Sequence, residues 1–158
     1  MKLKKGSIEL QKLKEEDLEL LMSWRSNSEV YRCFYQQDAP LKWNEHYTWW
    51  THRTNREDFI IIYNGEFRKR KIGTVNITHL DTDYPEIGIL IGEISFWGKG
   101  AGKNTLKLAL EFIKNKAYKG AQALILDKNQ RSQELFKNMG FIRQGKSRNG
   151  ESKYRIEF

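Results

Sequence analysis

The run FWGKGAGKNTLKLALEFI, Phe96 to Ile113, places Gly98, Gly100 and Gly102 at every second position, threads Lys99 and Lys103 among them, and continues into an apolar-periodic helix. Glycine permits a tight turn and close approach of a ligand to the backbone, and the start of a helix exposes N–H groups without carbonyl partners together with a partial positive charge. Phosphate is the guest that such a turn suits. Two common phosphate templates fail here. A P-loop needs four residues between its glycines and a Gly-Lys-Ser/Thr ending, whereas Lys103 is followed by Asn104. A dinucleotide fingerprint needs Gly-x-Gly-x-x-Gly with an acidic residue suitably placed after a following strand, and the glycines here are spaced Gly98, Gly100, Gly102 with no acid so placed. Close packing alone would account for one glycine and not for three.

Three further residue types could do chemistry. Arg25 sits on an otherwise apolar helix face, where a guanidinium calls for a partner. Glu86 opens an apolar strand behind Pro85, and reads equally as a half-buried base or as a polar cap on that strand. Cys33 is the single cysteine, which precludes an internal disulfide and points to a reducing compartment. It reads as a nucleophile or, more ordinarily, as a small core residue. His46, His52 and His79 show no ligand spacing with acids or with Cys33, so no metal site is expected.

These groups must be positioned by the elements around them. SIELQKL alternates as a first strand, KEEDLELLMSWRS has helical spacing at Leu18, Leu21, Met22 and Arg25, and WNEHYTWWTHRTN is a second helix. DFIIIYNGEFRKRKIGTVNITHL predicts two strands joined at Asn64 and Gly65, and YPEIGILIGEI a third leading into the glycine turn. The turn opens a helix from Lys103 to about Ala117. AQALILD is a buried strand, NQRSQELFKNMG a helix closed by a glycine, and GFIRQGKSR with SKYRIEF a final hairpin. The order makes an α+β fold around one central sheet, with the glycine turn at the carboxyl end of a central strand, where such folds place ligands.

The 158 residues fit one domain, 1–158, with no repeat, low-complexity run or linker. No run of about 18 apolar residues could cross a membrane, and the N-terminal MKLKKGSIEL lacks the apolar stretch of a secretion signal, so a cytoplasmic protein is expected. Net charge is +8, with basic residues scattered among acids. That favours anionic small molecules over nucleic acid, for which no basic stripe or aromatic RNA signature is present. A homodimer is left open.

The chain resembles the GNAT acetyltransferase superfamily in two motifs. Lys99, Gly100, Ala101 and Gly102 match the end of its pyrophosphate loop, Arg/Gln-x-x-Gly-x-Gly/Ala, with Trp97 replacing the leading Arg or Gln. NQRSQELFKNMGF resembles its Asn-x-x-Ala-x-x-Leu-Tyr-x-x-x-Gly-Phe helix at Asn129, Leu135, Gly140 and Phe141. The resemblance implies a GNAT fold, a mixed sheet of about seven strands splayed at the cofactor with about four helices, and acetyl-CoA as co-substrate. It implies that backbone N–H groups from Gly98 to Lys103 hold the pyrophosphate, that the backbone of Ile91 and Gly92 pairs with pantetheine, and that Asn129 and Phe136 contact the cofactor. Phe136 stands where many members carry a tyrosine and has no proton to give, so the thiolate is expected to leave unassisted rather than be protonated by Tyr154. Glu86 lies at the offset of the strand carboxylate that deprotonates the amine in the histone-acetylating branch.

The first half of the chain carries the acceptor. SWRSNSEV, CFY and EHYTWW resemble the nucleotide-sugar N-acetyltransferases of pseudaminic-acid synthesis, which implies substrate contacts at Arg25, Phe34, Tyr35, His46 and Trp49. Guanidinium and imidazole suit phosphate, and aromatic faces suit a base or sugar. The FWGKG start also resembles the ribosomal-protein amino-terminal acetyltransferases, which leaves a protein amino terminus as the alternative acceptor. A non-catalytic acyl-CoA-binding module is the reading from a different class, separated from an enzyme by thiol release.

Overall fold

The computed structural model describes residues 3–34 and 37–158. In chain order the elements are β1 (Leu3–Lys5), β2 (Ile8–Lys12), α1 (Leu18–Arg25), α2 (Ser28–Tyr31), α3 (Trp43–Thr51), β3 (Arg56–Asn64), β4 (Lys69–Thr78), β5 (Glu86–Ile91), α4 (Ala101–Lys114), β6 (Gly120–Leu126), α5 (Gln130–Asn138), β7 (Ile142–Arg148) and β8 (Glu151–Glu157). The strands form one sheet in the order β1-β2-β3-β4-β5-β6-β8-β7. The expected α+β architecture is present, with one strand and one helix more than the sequence suggests among the described residues. The extra strand, β1, is a polar stretch that pairs with β2 around Gly6 at φ +58°. The extra helix, α2, is a single turn capped by Asn27, whose side chain accepts from the Glu29 N–H at 3.0 Å.

The sheet has two buried faces, and the central strand shows why. In β3, Phe59 and Ile61 pack with Ile8, Leu10, Leu106 and Ile113 on the face covered by α4. Ile60 and Ile62 pack with Leu21, Trp24 and Leu90 on the face covered by α1. A continuous run of β-branched residues is what a strand buried on both sides requires.

All neighbouring strands run antiparallel except β5 and β6, which are parallel and joined by α4. A parallel pair needs such a crossover. Their ladder holds one register pair, Glu86 with Gln122. Beyond it the two strands part, and the sheet opens between them. The parting leaves one edge of β5 without a strand partner. Gly92 donates to Ile72 O at 2.8 Å on the β4 side, so strand alternation turns Ile89 and Ile91 toward the opening.

α4 starts two residues earlier than its periodicity suggests, because Gly100 at φ +85° acts as N-cap and the helix begins immediately after it. It ends three residues earlier, at Lys114, because Ala117 takes φ +63° and turns the chain out of the helix.

Candidate active site

The opening between β5 and β6 continues into a cavity of about 620 Å³. One arm runs along Ile89 and Ile91 to Gly98, Gly100, Gly102 and Lys103, with Asn129, Leu135 and Phe136 across from them. A second arm lies between the sheet and the first helices, under Arg25, Phe34 and Trp49 and over Asp58, Thr74, Asn76 and Glu86. An outer polar lobe adds Thr54, Asn55, Thr78, His79 and Asp81 to the shared Arg25, Arg56, Asn76, Glu86 and Arg148.

The turn in the first arm fits a phosphate. Gly98 and Gly100 have φ of +75° and +85°, a backbone that side chains rarely adopt. The first helical bond of α4 runs from Asn104 N–H to Gly100 O at 3.1 Å, so the N–H groups of Ala101, Gly102 and Lys103 precede it. The side chains divide: Lys103 lines the cavity, exposed Lys99 does not, and Ala101 is buried in the core and offers only its backbone. Trp97 has an unexpected role. Its indole Nε1–H donates to Ile91 O at 2.8 Å, taking that carbonyl away from any ligand in the opening. The Arg131 guanidinium lies 3.9 Å from the centre of the Trp97 ring and also lines the cavity. A cation thus returns, from α5, to the place where the loop's leading Arg has become Trp.

Gly92 departs from the expected pantetheine contact. Its N–H is spent on Ile72 O, and a Cβ there would stand 2.1 Å from Trp24 Cγ. Gly92 therefore lets α1 pack on the end of β5, and the strand edge available to a ligand is that of Ile89 and the Ile91 N–H. Asn129 lines the opening while its Oδ1 accepts from the Ser132 N–H at 3.2 Å as N-cap of α5, which leaves its amide NH₂ for other work. Tyr154 is 2% exposed in the core cluster and does not line the cavity.

Among the acceptor residues, Arg25, Phe34 and Trp49 line the second arm. Arg25 is held over the Phe34 ring at 4.7 Å and donates from Nη2 to Gln37 Oε1 at 3.0 Å. Its Nε is buried without a hydrogen-bond partner, and among the described residues no carboxylate lies in ion-pair range. Burial, and then the charge of Arg56, push its pKa down from the ordinary guanidinium value. Tyr35 lies outside the described residues.

His46 must be removed from the contact set. It is 3% exposed, its Nε2 lies 3.0 Å from Leu18 O, and its ring stacks on Trp49 at 5.5 Å. Since a carbonyl can only accept, Nε2 carries the proton. Burial chiefly lowers its pKa, with the Leu18 bond opposing, so the ring fixes Trp49 from behind as a neutral group.

Two residues of this arm escaped the sequence reading. Asp58 accepts from Arg56 Nη2 at 2.8 Å and Nε at 2.9 Å, and from Arg53 Nη1 at 2.8 Å. Arg56 and Asp58 are two apart on one strand and so share a face. That spacing was the available signal. For Arg131 there was none.

Glu86 stands at the fork where β5 and β6 part, facing both the second arm and the outer lobe. Burial raises its pKa most; His79 pulls it down, Glu151 raises it, and Arg148 and a hydrogen bond from Gln122 pull it down further. No arginine or lysine is in ion-pair range of it among the described residues. Its one ionisable neighbour in ion-pair range among the described residues is His79, with Nε2 4.0 Å from Oε1.

An open sheet with a carboxylate where its strands part, and a glycine turn opening a helix beyond the other end of β5, is an arrangement that suits an acyltransferase gripping a pantetheine arm. Comparison with known proteins agrees. Residues 7–142 match the family described as Acetyltransferase (GNAT) domain. The chain belongs to that family. It is 48% identical over 151 residues to the uncharacterized protein MJ1062 of Methanocaldococcus jannaschii, covering 96% of this chain and 31% of that protein. The chain thus spans about a third of the length of this curated relative. A crystal structure of a domain from the same organism superposes with TM-score 0.95 at 47% identity, over 98% of this chain and 100% of that one. Spermidine N-acetyltransferase from Vibrio cholerae, solved with CoA and spermine, shares the fold with TM-score 0.77 at 17% identity, over 98% and 96% of the two chains. Among the described residues no helix is long and apolar enough to cross a membrane.

Proposed function

We propose that this domain moves the acetyl group of acetyl-CoA to the primary amine of an anionic small molecule, with a nucleotide-linked amino sugar as the acceptor. The carrying observation is the charge of the second arm. Arg25 is a half-buried cation with, among the described residues, no carboxylate in ion-pair range and no hydrogen-bond partner for its Nε, and Asp58 is shared between Arg53 and Arg56, which leaves that cluster one positive charge in excess. An unpaired buried guanidinium is costly unless a ligand supplies the partner. A polyamine such as spermidine would meet repulsion from the same groups. Trp49, braced by His46, and Phe34 offer apolar faces for a base or sugar ring. Glu86 takes the amine proton in this reading, and the acetyl thioester supplies the group that is transferred.

The test is thiol release and thermal shift with three acceptors in the presence of acetyl-CoA: a UDP-4-amino-sugar, an amino-terminal peptide and spermidine. A melting-temperature rise and turnover confined to the anionic acceptor support the reading, since a ligand of the native state stabilises it. Turnover of the peptide alone would move the acceptor to a protein amino terminus, and turnover of spermidine alone would refute the charge argument.

The cofactor arm carries its own predictions. Gly100→Val forces a β-branched residue into the left-handed region, at about 1–2 kcal/mol, and puts methyl groups where phosphate oxygens approach the turn. The strain is a cost to folding that is present with and without ligand, so the roughly tenfold or greater weakening of coenzyme A binding expected by calorimetry would come from the lost backbone approach. Lys99→Ala should change little, because that side chain is outside the cavity. Arg131→Ala should weaken coenzyme A binding several-fold, about 1 kcal/mol for an exposed charge-assisted contact, with a matching loss of salt dependence. Unchanged affinity and salt slope would leave Arg131 as a packing partner of Trp97 only.

A further inference from the structure

We propose that His79 is the exit relay for the proton that Glu86 takes from the amine, delivering it through the outer lobe to solvent. The proposal rests on the reading of Glu86 as base. A protonated amine R–NH₃⁺ becomes R–NH–CO–CH₃ by losing two protons as the N–C bond forms and the C–S bond breaks. One ends on the coenzyme A sulfur, and the other leaves to bulk in every turnover. Glu86 therefore finishes each cycle protonated and has to be emptied before the next. The second arm is a poor route, because product and cofactor fill it.

The outer lobe supplies the other route. Glu86 borders both spaces, and His79, with its side chain 58% exposed, stands between it and solvent. The 4.0 Å from Nε2 to Oε1 is spanned by one water or a small rotation of either side chain. Imidazole is the side chain that accepts a proton on one nitrogen and releases one from the other near neutral pH. The remaining groups facing Glu86 cannot take its proton. Gln122 on β6 does not titrate, Arg148 on β7 is a permanent cation, and Glu151 on β8 is 3% exposed and paired with Arg148 Nε at 2.7 Å. Arg25 and Arg56 also line the lobe as cations that disfavour a proton lingering on Glu86, and Asp81 lines it with His79.

The backbone at His79 adds a second, independent observation. His79 has φ +57°, and Asn55, which faces it at the end of the β3–β4 ladder, has φ +52°. Bonds from Leu80 N–H to Asn55 O at 3.2 Å, and from Thr82 N–H and Oγ1 to His79 O at 3.1 and 2.7 Å, hold the turn. Glycine would satisfy this backbone without strain. A left-handed position given to an imidazole next to the base is strain retained for that side chain.

The experiment uses His79→Gly, which suits the turn, and His79→Asn, which tolerates it, with Glu86→Gln alongside. Thiol release is followed in about 2 mM non-imidazole buffer near neutral pH, where imidazole can both take up and give up a proton. Both His79 variants should keep their melting temperature and both KM values while kcat falls about tenfold, less than the loss expected for the base itself. Added imidazole should restore kcat in His79→Gly and do nothing for Glu86→Gln. Wild-type kcat in the His79 variants, or a loss that imidazole does not restore, overturns the relay while leaving Glu86 as base. A fully active Glu86→Gln variant removes the base and the relay together.

Discussion

Glu86→Gln should lower kcat by about 10²-fold or more, the scale of losing a general base, while KM for acetyl-CoA holds. The amine arrives largely protonated at neutral pH and must be neutral to attack. Among the described residues, Glu86 is the carboxylate of the second arm with no arginine in ion-pair range: Asp58 is shared by two, and Glu151 is paired with Arg148. Its pKa is raised, first by burial, which brings it nearer to the working pH and makes it a stronger base than an exposed carboxylate. In the wild type, kcat should fall on the acid side as pH drops through this raised value, and in Glu86→Gln that limb should vanish.

The same shift makes a stability statement. A carboxyl whose pKa is higher in the fold than in the unfolded chain is happier there protonated, so its contribution is fully present below the unfolded value, about 4.3 for Glu, and is lost as pH rises through the folded value. Glutamine never carries that charge. Glu86→Gln should therefore match the wild type in thermal stability near pH 4 and equal or exceed it at pH 7.5. A variant that loses kcat while its melting temperature does not fall separates a base from a strand cap. A variant with full kcat would leave solvent water as the proton acceptor.

What could be read from the chain beforehand depended on whether the information was local. The glycine turn was legible because three alternating glycines and a helix onset are contiguous, and the structure adds only that Gly98 and Gly100 are the two in the left-handed region. β3 was legible because both faces are apolar. β1 was not, since LKK has the composition of a solvated strand and takes its form from pairing with β2. The Arg53–Asp58–Arg56 cluster straddles a loop and a strand, and its meaning appears only once Arg25 is seen to line the same cavity with no carboxylate in ion-pair range among the described residues. His46 misled for the converse reason. A histidine between aromatic residues on a helix looks like a ligand contact, and only the carbonyl of Leu18, 28 positions away, shows that the ring is turned inward. Gly92 entered only through the resemblance, as backbone for pantetheine, whereas what demands a glycine there is Trp24 on α1.

Arg25→Ala should raise the acceptor KM about ten- to a hundredfold, the 1.5–3 kcal/mol of a charge-assisted pair, while coenzyme A affinity stays nearly unchanged. Two roles compete for this residue. It ties α1 to the following loop, donating to Gln37 Oε1 while Gln37 Nε2 donates back to Arg25 O at 2.7 Å, and it stacks on Phe34. Those contacts are neutral or half-exposed. Against them stands the cost of a guanidinium whose Nε is buried without a partner and whose pKa is lowered by burial and by Arg56. The imbalance means that the fold alone does not gain from the charge, whereas an anionic acceptor would. Arg25→Met separates the roles, because it keeps a stem against Phe34 and removes only the charge. With an anionic acceptor, Arg25→Met and Arg25→Ala should raise KM alike, flatten its rise with ionic strength, and leave the melting temperature of the methionine variant near that of the wild type. If KM for both substrates rose together, or if methionine restored the acceptor KM, Arg25 would be a structural tie and the anionic acceptor would lose its main support.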